Sequence, residues 1–218
     1  MERTVLITGR QSTLRDDLLQ EALARSFKVF ATYDPSLGEP EIPDGFGDDL
    51  TYVEWNRRSP ISARSVLLAL ENGAEAVEEI FVVFQPETTA VPFNEAQASQ
   101  IEEVVDGSIK GYLFLLREIL AHGIRRAGVR VNLVVENSTG ELTPPLEAAT
   151  TGAFLAGARA LMALYQQESI RFRGFQSSGK EGREYARFVL DTIRDKGEKS
   201  FGRWSKFGGR GNLFPFRK

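Results

Sequence analysis

A single imidazole and no thiol limit the chemistry open to this chain of 218 residues. Without cysteine there can be no disulfide, thiol nucleophile or zinc–thiolate site, and one histidine excludes a histidine-rich metal centre. That histidine, His122, stands just before Gly123, at the end of a helical pattern. There it interacts favourably with helix carbonyls, and the sequence shows it no proton-transfer partner. Asp44, Asp48 and Asp49 alternate with Gly45 and Gly47 without the spacing of a calcium loop, so they read as a solvated acidic loop. Glu136, Glu141 and Glu147 could supply paired carboxylates, although acids gathered round a loop are common on surfaces. The C-terminal stretch interleaves Lys196, Lys199, Arg203, Lys206, Arg210, Arg217 and Lys218 with Phe201, Trp204, Phe207, Phe214 and Phe216. Basic residues among aromatics can bind single-stranded nucleic acid. A net charge of −3 does not favour a general nucleic-acid binder.

The elements that must position these groups alternate. Apolar runs predict strands at 5–7, 28–32, 50–55, 80–84, 129–135 and 170–175. Helical periodicity predicts helices from Ser12 or Thr13, over 62–72, about 95–122, about 146–168 and 183–196. The stripe assigned to the long helix is Ile101, Val104, Val105, Ile109, Tyr112, Leu113, Leu116 and Leu120. Residues 34–49 form an acidic loop rich in Pro and Gly, without a helix. The fold class expected is α/β, a three-layer, doubly wound, mostly parallel sheet in a single domain over 1–218. The opening MERTVLITG reads as a strand, not a signal peptide, and no apolar window reaches membrane-span length. A cytoplasmic protein is expected.

This order of elements resembles the short-chain dehydrogenase/reductase family, whose core is a Rossmann fold. VLITGR at 5–10, EEIFVVFQPE at 78–87, VDGSIKGYLFLLREIL at 105–120 and the stretch from Val131 to Phe172 carry the resemblance. It implies NAD(P) as cofactor, with a diphosphate on the turn after the first strand and an acid at the end of the second strand on the ribose. The positions that would serve are Gly9, Arg10, Ser12, Thr13 and Asp34. Asp34 before a proline is also a common turn starter.

The sequence departs from the family at the points that matter for chemistry. The later glycines of the turn stand here as Thr13 and Arg15, followed by Asp16 and Asp17. Such side chains crowd and repel a diphosphate, while the acids suit the positive helix terminus. Family catalysis uses a Tyr with a Lys four residues on. Here Tyr33, Tyr52, Tyr112, Tyr165 and Tyr185 are followed at that distance by Leu37, Asn56, Leu116, Ser169 and Val189. The aligned stretch 147–152 has neither Tyr nor Lys. The family's serine falls near Glu136 and Ser138, its helix asparagine near Ser108, and the small turn after its fourth strand on Phe84-Gln85-Pro86-Glu87.

No catalytic residue and no metal site is therefore assigned. The expected function is a non-catalytic scaffold, assembly or regulatory binding protein with no cofactor. The alternative is a divergent NAD(P)-dependent oxidoreductase. The resemblance also implies that the tail forms a final strand with structural aromatics, which is preferred over nucleic-acid binding. It implies, too, a homo-oligomer built through helices 95–122 and 146–168, the second of which is rich in Ala and Gly.

Overall fold

The structure is a computed structural model that describes residues 3–43, 45–74, 77–87, 91–126, 128–136, 143–177 and 182–208. Its strands are β1 (Thr4–Gly9), β2 (Lys28–Tyr33), β3 (Leu50–Glu54), β4 (Glu79–Phe84), β5 (Arg130–Glu136), β6 (Arg171–Ser177) and β7 (Trp204–Phe207). They lie side by side in the order β3-β2-β1-β4-β5-β6-β7. Every neighbouring pair is parallel. The unbroken apolar runs of β1 and β4 have this cause, since a parallel sheet is covered on both faces. The seventh strand comes from the basic, aromatic tail. Trp204 pairs opposite Gly174, where even a Cβ would collide with the indole. The remainder of the tail, including Arg210, Phe214, Phe216, Arg217 and Lys218, lies outside the described residues.

One face of the sheet is covered by α1 (Thr13–Leu23) and α6 (Gly182–Lys196), the other by α2 (Pro60–Gly73), α4 (Gly111–Arg125) and α5 (Pro145–Leu164). Ser12 caps α1, its hydroxyl accepting from the Arg15 amide at 3.4 Å. Glu21 on α1 takes the Nε–H groups of Arg183 and Arg187 on α6 at 3.0 and 2.9 Å, tying those helices together. Between β2 and β3 the described residues form only a short 3₁₀ turn, Pro35–Leu37, in place of a covering helix.

The long helix differs from its sequence reading. It starts as α3 (Ala98–Val105), passes through a π turn at Asp106–Lys110 and continues as α4. A π turn inserts one residue and so rotates everything after it by about a quarter turn. The inward face of α4 is therefore Tyr112, Leu115, Leu116 and Ile119, while Leu113 is half exposed. Among the described residues no helix is long and apolar enough to cross a membrane.

At the N-terminal ends of the strands lies a buried polar knot. Glu79 on β4 receives both Arg173 Nη2 (2.8 and 3.0 Å) and Asn132 Nδ2 (2.7 Å). Arg173 also donates from Nε to Asn132 Oδ1 at 2.6 Å and from Nη1 to Ser200 Oγ at 2.9 Å. Phe201 lies 4.4 Å from the guanidinium carbon. β4, β5, β6 and the entry to β7 are thereby held in one arrangement. Burial pushes the Arg173 pKa down, against the pull of Glu79.

Candidate functional site

The strand order reverses between β1 and β4, and in open α/β sheets ligands bind at such a switch point, beyond the C-terminal strand ends. Gly9 ends β1 there with φ +150°, a conformation that favours glycine, and a Cβ at Gly9 would press on the Val83 carbonyl of β4. This glycine is thus required by strand packing alone. Two amides of the turn have partners among the described residues. Gly9 N–H donates to Thr32 Oγ1 at 3.2 Å, and Arg10 N–H donates to the Tyr112 hydroxyl at 3.3 Å. That hydroxyl in turn donates to Val83 O at 2.9 Å. Gln11 reaches across to β2, where its Oε1 accepts from Asp34 N–H at 3.3 Å.

Beside this turn lies an open cleft of about 460 Å³, lined by Gly9, Arg10, Asp34, Trp55, Arg57 and Glu87 among others. Of the residues singled out as cofactor contacts, Gly9, Arg10 and Asp34 line it, whereas Ser12 is spent on the helix cap and Thr13 is exposed. Asp34 is occupied as a turn starter: its Oδ1 accepts from Ser36 N–H at 3.0 Å and Ser36 Oγ at 2.7 Å. Its other oxygen stands 3.8 Å from Arg57 Nη2. Glu87 Oε1 is shared, 3.4 Å from Arg10 Nε and 3.5 Å from Arg57 Nη2. Arg58 pairs with Glu103 at the rim.

Arg57 and Arg58 carry no signal in the sequence, because they belong to a loop and to no motif. The one trace of Arg57 is the pair Gly107 and Gly111, four apart on the helix. A Cβ at Gly111 would collide with the Arg57 carbonyl, and one at Gly107 would come within 3.3 Å of its Nη1. The two glycines open a notch that seats Arg57 against the π turn.

On the sheet face covered by α2, α4 and α5, aromatic rings pack together. Phe84 stacks on Phe154 with ring centroids 4.5 Å apart, and Tyr112 meets Phe84, Phe154 and Trp55 edge-on at 5.2, 5.4 and 5.5 Å. All four rings are buried. Burial raises the Tyr112 pKa. Thr150, in the first turns of α5, spends its hydroxyl on the carbonyls of Leu146 and Glu147. Glu136 and Glu147 are buried, while Ser138 and Glu141 lie outside the described residues. Ser108 is buried in the π turn.

Two charged residues of the first turn of α1 behave unexpectedly. Arg15 is 1 % exposed, and its Nε and Nη1 make no hydrogen bond. Burial lowers its pKa. Asp16 is raised, again by burial, which outweighs the neighbouring Arg15. Asp16 stands in the first turn of α1, where the helix terminus favours an acid, and it is the burial of Arg15 that the sequence does not announce. His122 stands in the last turn of α4, where a helix end is expected, and it pairs with Glu71 of α2, Nδ1 to Oε1 at 2.9 Å, a partner that the sequence does not show. Among the described residues no cluster of His, Asp and Glu is arranged to hold a metal.

No family model matches the chain. An uncharacterised protein of Treponema pallidum (strain Nichols) is 21% identical over 184 residues, covering 83% of this chain and 80% of that protein. Solved structures are informative about the fold. A 3-ketoacyl-(acyl-carrier-protein) reductase from Brucella melitensis, complexed with NADH, superposes with TM-score 0.80 at 14% identity, over 95% of this chain and 98% of that one. A short-chain dehydrogenase from Leptospira borgpetersenii with bound NAD+ gives 0.77 at 15%, over 96% and 92%. A 3-ketoacyl-ACP reductase from Sinorhizobium meliloti 1021 gives 0.78 at 14%, over 94% and 96%. The chain therefore has the Rossmann-like α/β fold of the short-chain dehydrogenases/reductases. At these identities the likeness is one of fold.

Proposed function

We propose that this protein works by binding and not by hydride transfer, as a non-catalytic scaffold, assembly or regulatory component built on this fold. The observation that carries the reading is the buried cluster of Trp55, Phe84, Tyr112 and Phe154. A dinucleotide lying across the switch point would extend over the β4–β5 side, where Phe84 ends β4 and packs with Tyr112 and Phe154. The turn itself supports the same conclusion. Its Gly9 and Arg10 amides are spent on Thr32 and Tyr112, and Gln11 spans the groove. The residues present do not fit NAD(P) held in the family's manner. The test is a spectrophotometric assay of purified protein with NADH or NADPH against a broad panel of carbonyl compounds. No cofactor oxidation above buffer is expected. Sustained turnover would sink this reading and establish the alternative, a divergent NAD(P)-dependent oxidoreductase, which the open cleft beside Gly9 and the cofactor-bound structural neighbours favour.

The partner surface we assign is an apolar groove of about 480 Å³ between α4 and α5. Leu113, Leu116, Leu120, Ala153, Gly157 and Leu161 line it, and Leu164 at its end is 75% exposed. Small residues on α5 let another helix approach closely. The occupant proposed is a second copy of the chain, related by a two-fold axis. The described part of the tail is spent on β7 and on packing around Arg173 and Tyr185, which argues against nucleic-acid binding through it.

A further inference from the structure

At the opposite end of the sheet from Gly9, where the strands begin, lies a second open cavity of about 570 Å³. The starts of β5 and β6, the end of α5 and the turn before β7 enclose it. Arg130 and Arg171 both line it. They are the first residues of their strands and are register partners across the β5–β6 ladder. Neighbouring strands lie about 4.8 Å apart, and like charges set opposite each other destabilise a sheet. The nearby acids do not cancel this pair. Arg130 stands 3.7 Å from Glu78 and 3.6 Å from Glu79, and makes no side-chain hydrogen bond among the described residues. Both carboxylates are shared with Arg3, and Glu79 is committed to Arg173 and Asn132. The crowding reaches Arg173, whose pKa is pushed down chiefly by burial and further by Arg130 and Arg3. Arg171 has no carboxylate partner among the described residues. Its Nη1 donates to the carbonyls of Gln166 and Glu168 at 2.9 and 2.8 Å, which fixes the guanidinium and leaves Nε and Nη2 without a hydrogen bond among those residues. Glu198 also lines the cavity, but it pairs with neither arginine.

The rest of the wall is apolar. Met162 and Phe172 line it and are buried, and Phe201 lines it half-buried. Phe201 is held on two sides. Its ring lies 4.4 Å from the Arg173 guanidinium carbon, and the next residue, Gly202, donates its N–H to Phe172 O at 2.8 Å. Groups fixed in advance lose little freedom on binding. We propose that this cavity binds a small aromatic carboxylate, its carboxylate held between Arg130 and Arg171 and its ring against Phe172, Phe201 and Met162. One carboxylate offers two oxygens to two guanidinium forks and relieves the repulsion between them. A ring packs edge-on or offset against the phenylalanines, a contact that a bare inorganic anion lacks. The site is remote from the turn at Gly9, so it does not depend on whether the switch-point cleft takes a cofactor.

The experiment is calorimetric titration of the full chain with phenylacetate, its neutral counterpart phenylacetamide, acetate and inorganic phosphate. Saturable binding of phenylacetate is expected, about tenfold or more tighter than that of the amide, which lacks the charge, and of acetate, which lacks the ring. Arg171→Gln should weaken phenylacetate by a similar factor. Glu198→Gln should tighten it, since the acid lining the cavity is then gone. If Arg171→Gln does not fold by circular dichroism, Arg130→Gln, which disturbs no carbonyl contact, carries the same expectation. The proposal is overturned if phenylacetate does not bind at millimolar concentration, or if the amide binds as tightly. Phosphate binding more tightly than phenylacetate would overturn it too, by showing an anion site without an aromatic subsite. So would arginine variants that bind as the parent does, because the ligand would then sit elsewhere.

Discussion

Arg15, in the first turn of α1, is a buried cation that the protein hardly uses. Its nearest acid, Asp16, is 3.5 Å from Nε and mostly exposed, and its buried Nε and Nη1 make no hydrogen bond. An unsatisfied buried polar group costs about 1–3 kcal/mol. Arg15→Met, which keeps the volume and removes the charge, should stabilise the fold by that order in urea denaturation, and an unchanged or lower midpoint would contradict the assignment. Glu79 is the opposite case. Truncating it to Ala leaves the Arg173 guanidinium buried and uncompensated, and should cost about 3–5 kcal/mol in the same measurement. Neither environment is readable from the sequence. Arg15 is legible only as an intrusion into a glycine pattern, and Glu79 and Arg173 sit in strands where charge has no periodic signature. Asp34, by contrast, is legible as a turn starter because its bond to Ser36 is local.

The α1–α6 pair shows how elements depend on ionisation. Burial opposes the Glu21 charge, but the hydrogen bonds from Arg183 and Arg187 outweigh it and hold its pKa below the ordinary value. A carboxyl depressed in the folded state contributes stability that is present above its unfolded pKa and is lost as pH falls through the folded one. Acidification below about pH 4 should therefore loosen this helix pair. Glu21→Gln should remove that component, seen as a flatter dependence of melting temperature on pH. Strands and helices are largely legible because both carry a repeating apolar signal. The π turn is not, since a one-residue insertion leaves composition unchanged and alters only the phase of the residues after it. That shift in phase puts Leu113 on the wrong face in a sequence reading and hides Leu115 and Ile119. The cleft suffers more. Gly9 and Arg10 are visible from the turn, but Arg57 is placed by a notch formed about 50 residues later in the chain, a relation that no local pattern expresses.

For the whole molecule, the apolar groove between α4 and α5 sets the expected assembly. Leu164→Asp or Leu113→Asp puts charge on that face and should convert a dimer to a monomer in size-exclusion chromatography with light scattering. A parent protein that is already monomeric at micromolar concentration would refute the two-fold arrangement. Fold class is legible at this scale because alternation of strand and helix admits few topologies. The seventh strand has no apolar run of its own and is expected only through the family resemblance; the pairing of Trp204 with Gly174 fixes where it lies. The sheet's order has one more consequence. β1 is the first strand made, yet it lies between β2 and β4, and β4 begins at Glu79. During synthesis the hydrogen-bonding edge of Val5, Leu6 and Ile7 stays open until the chain has emerged past Phe84. A nascent chain in that interval exposes an apolar strand to its neighbours on the same message, and this is the stage at which aggregation or chaperone capture would act on it.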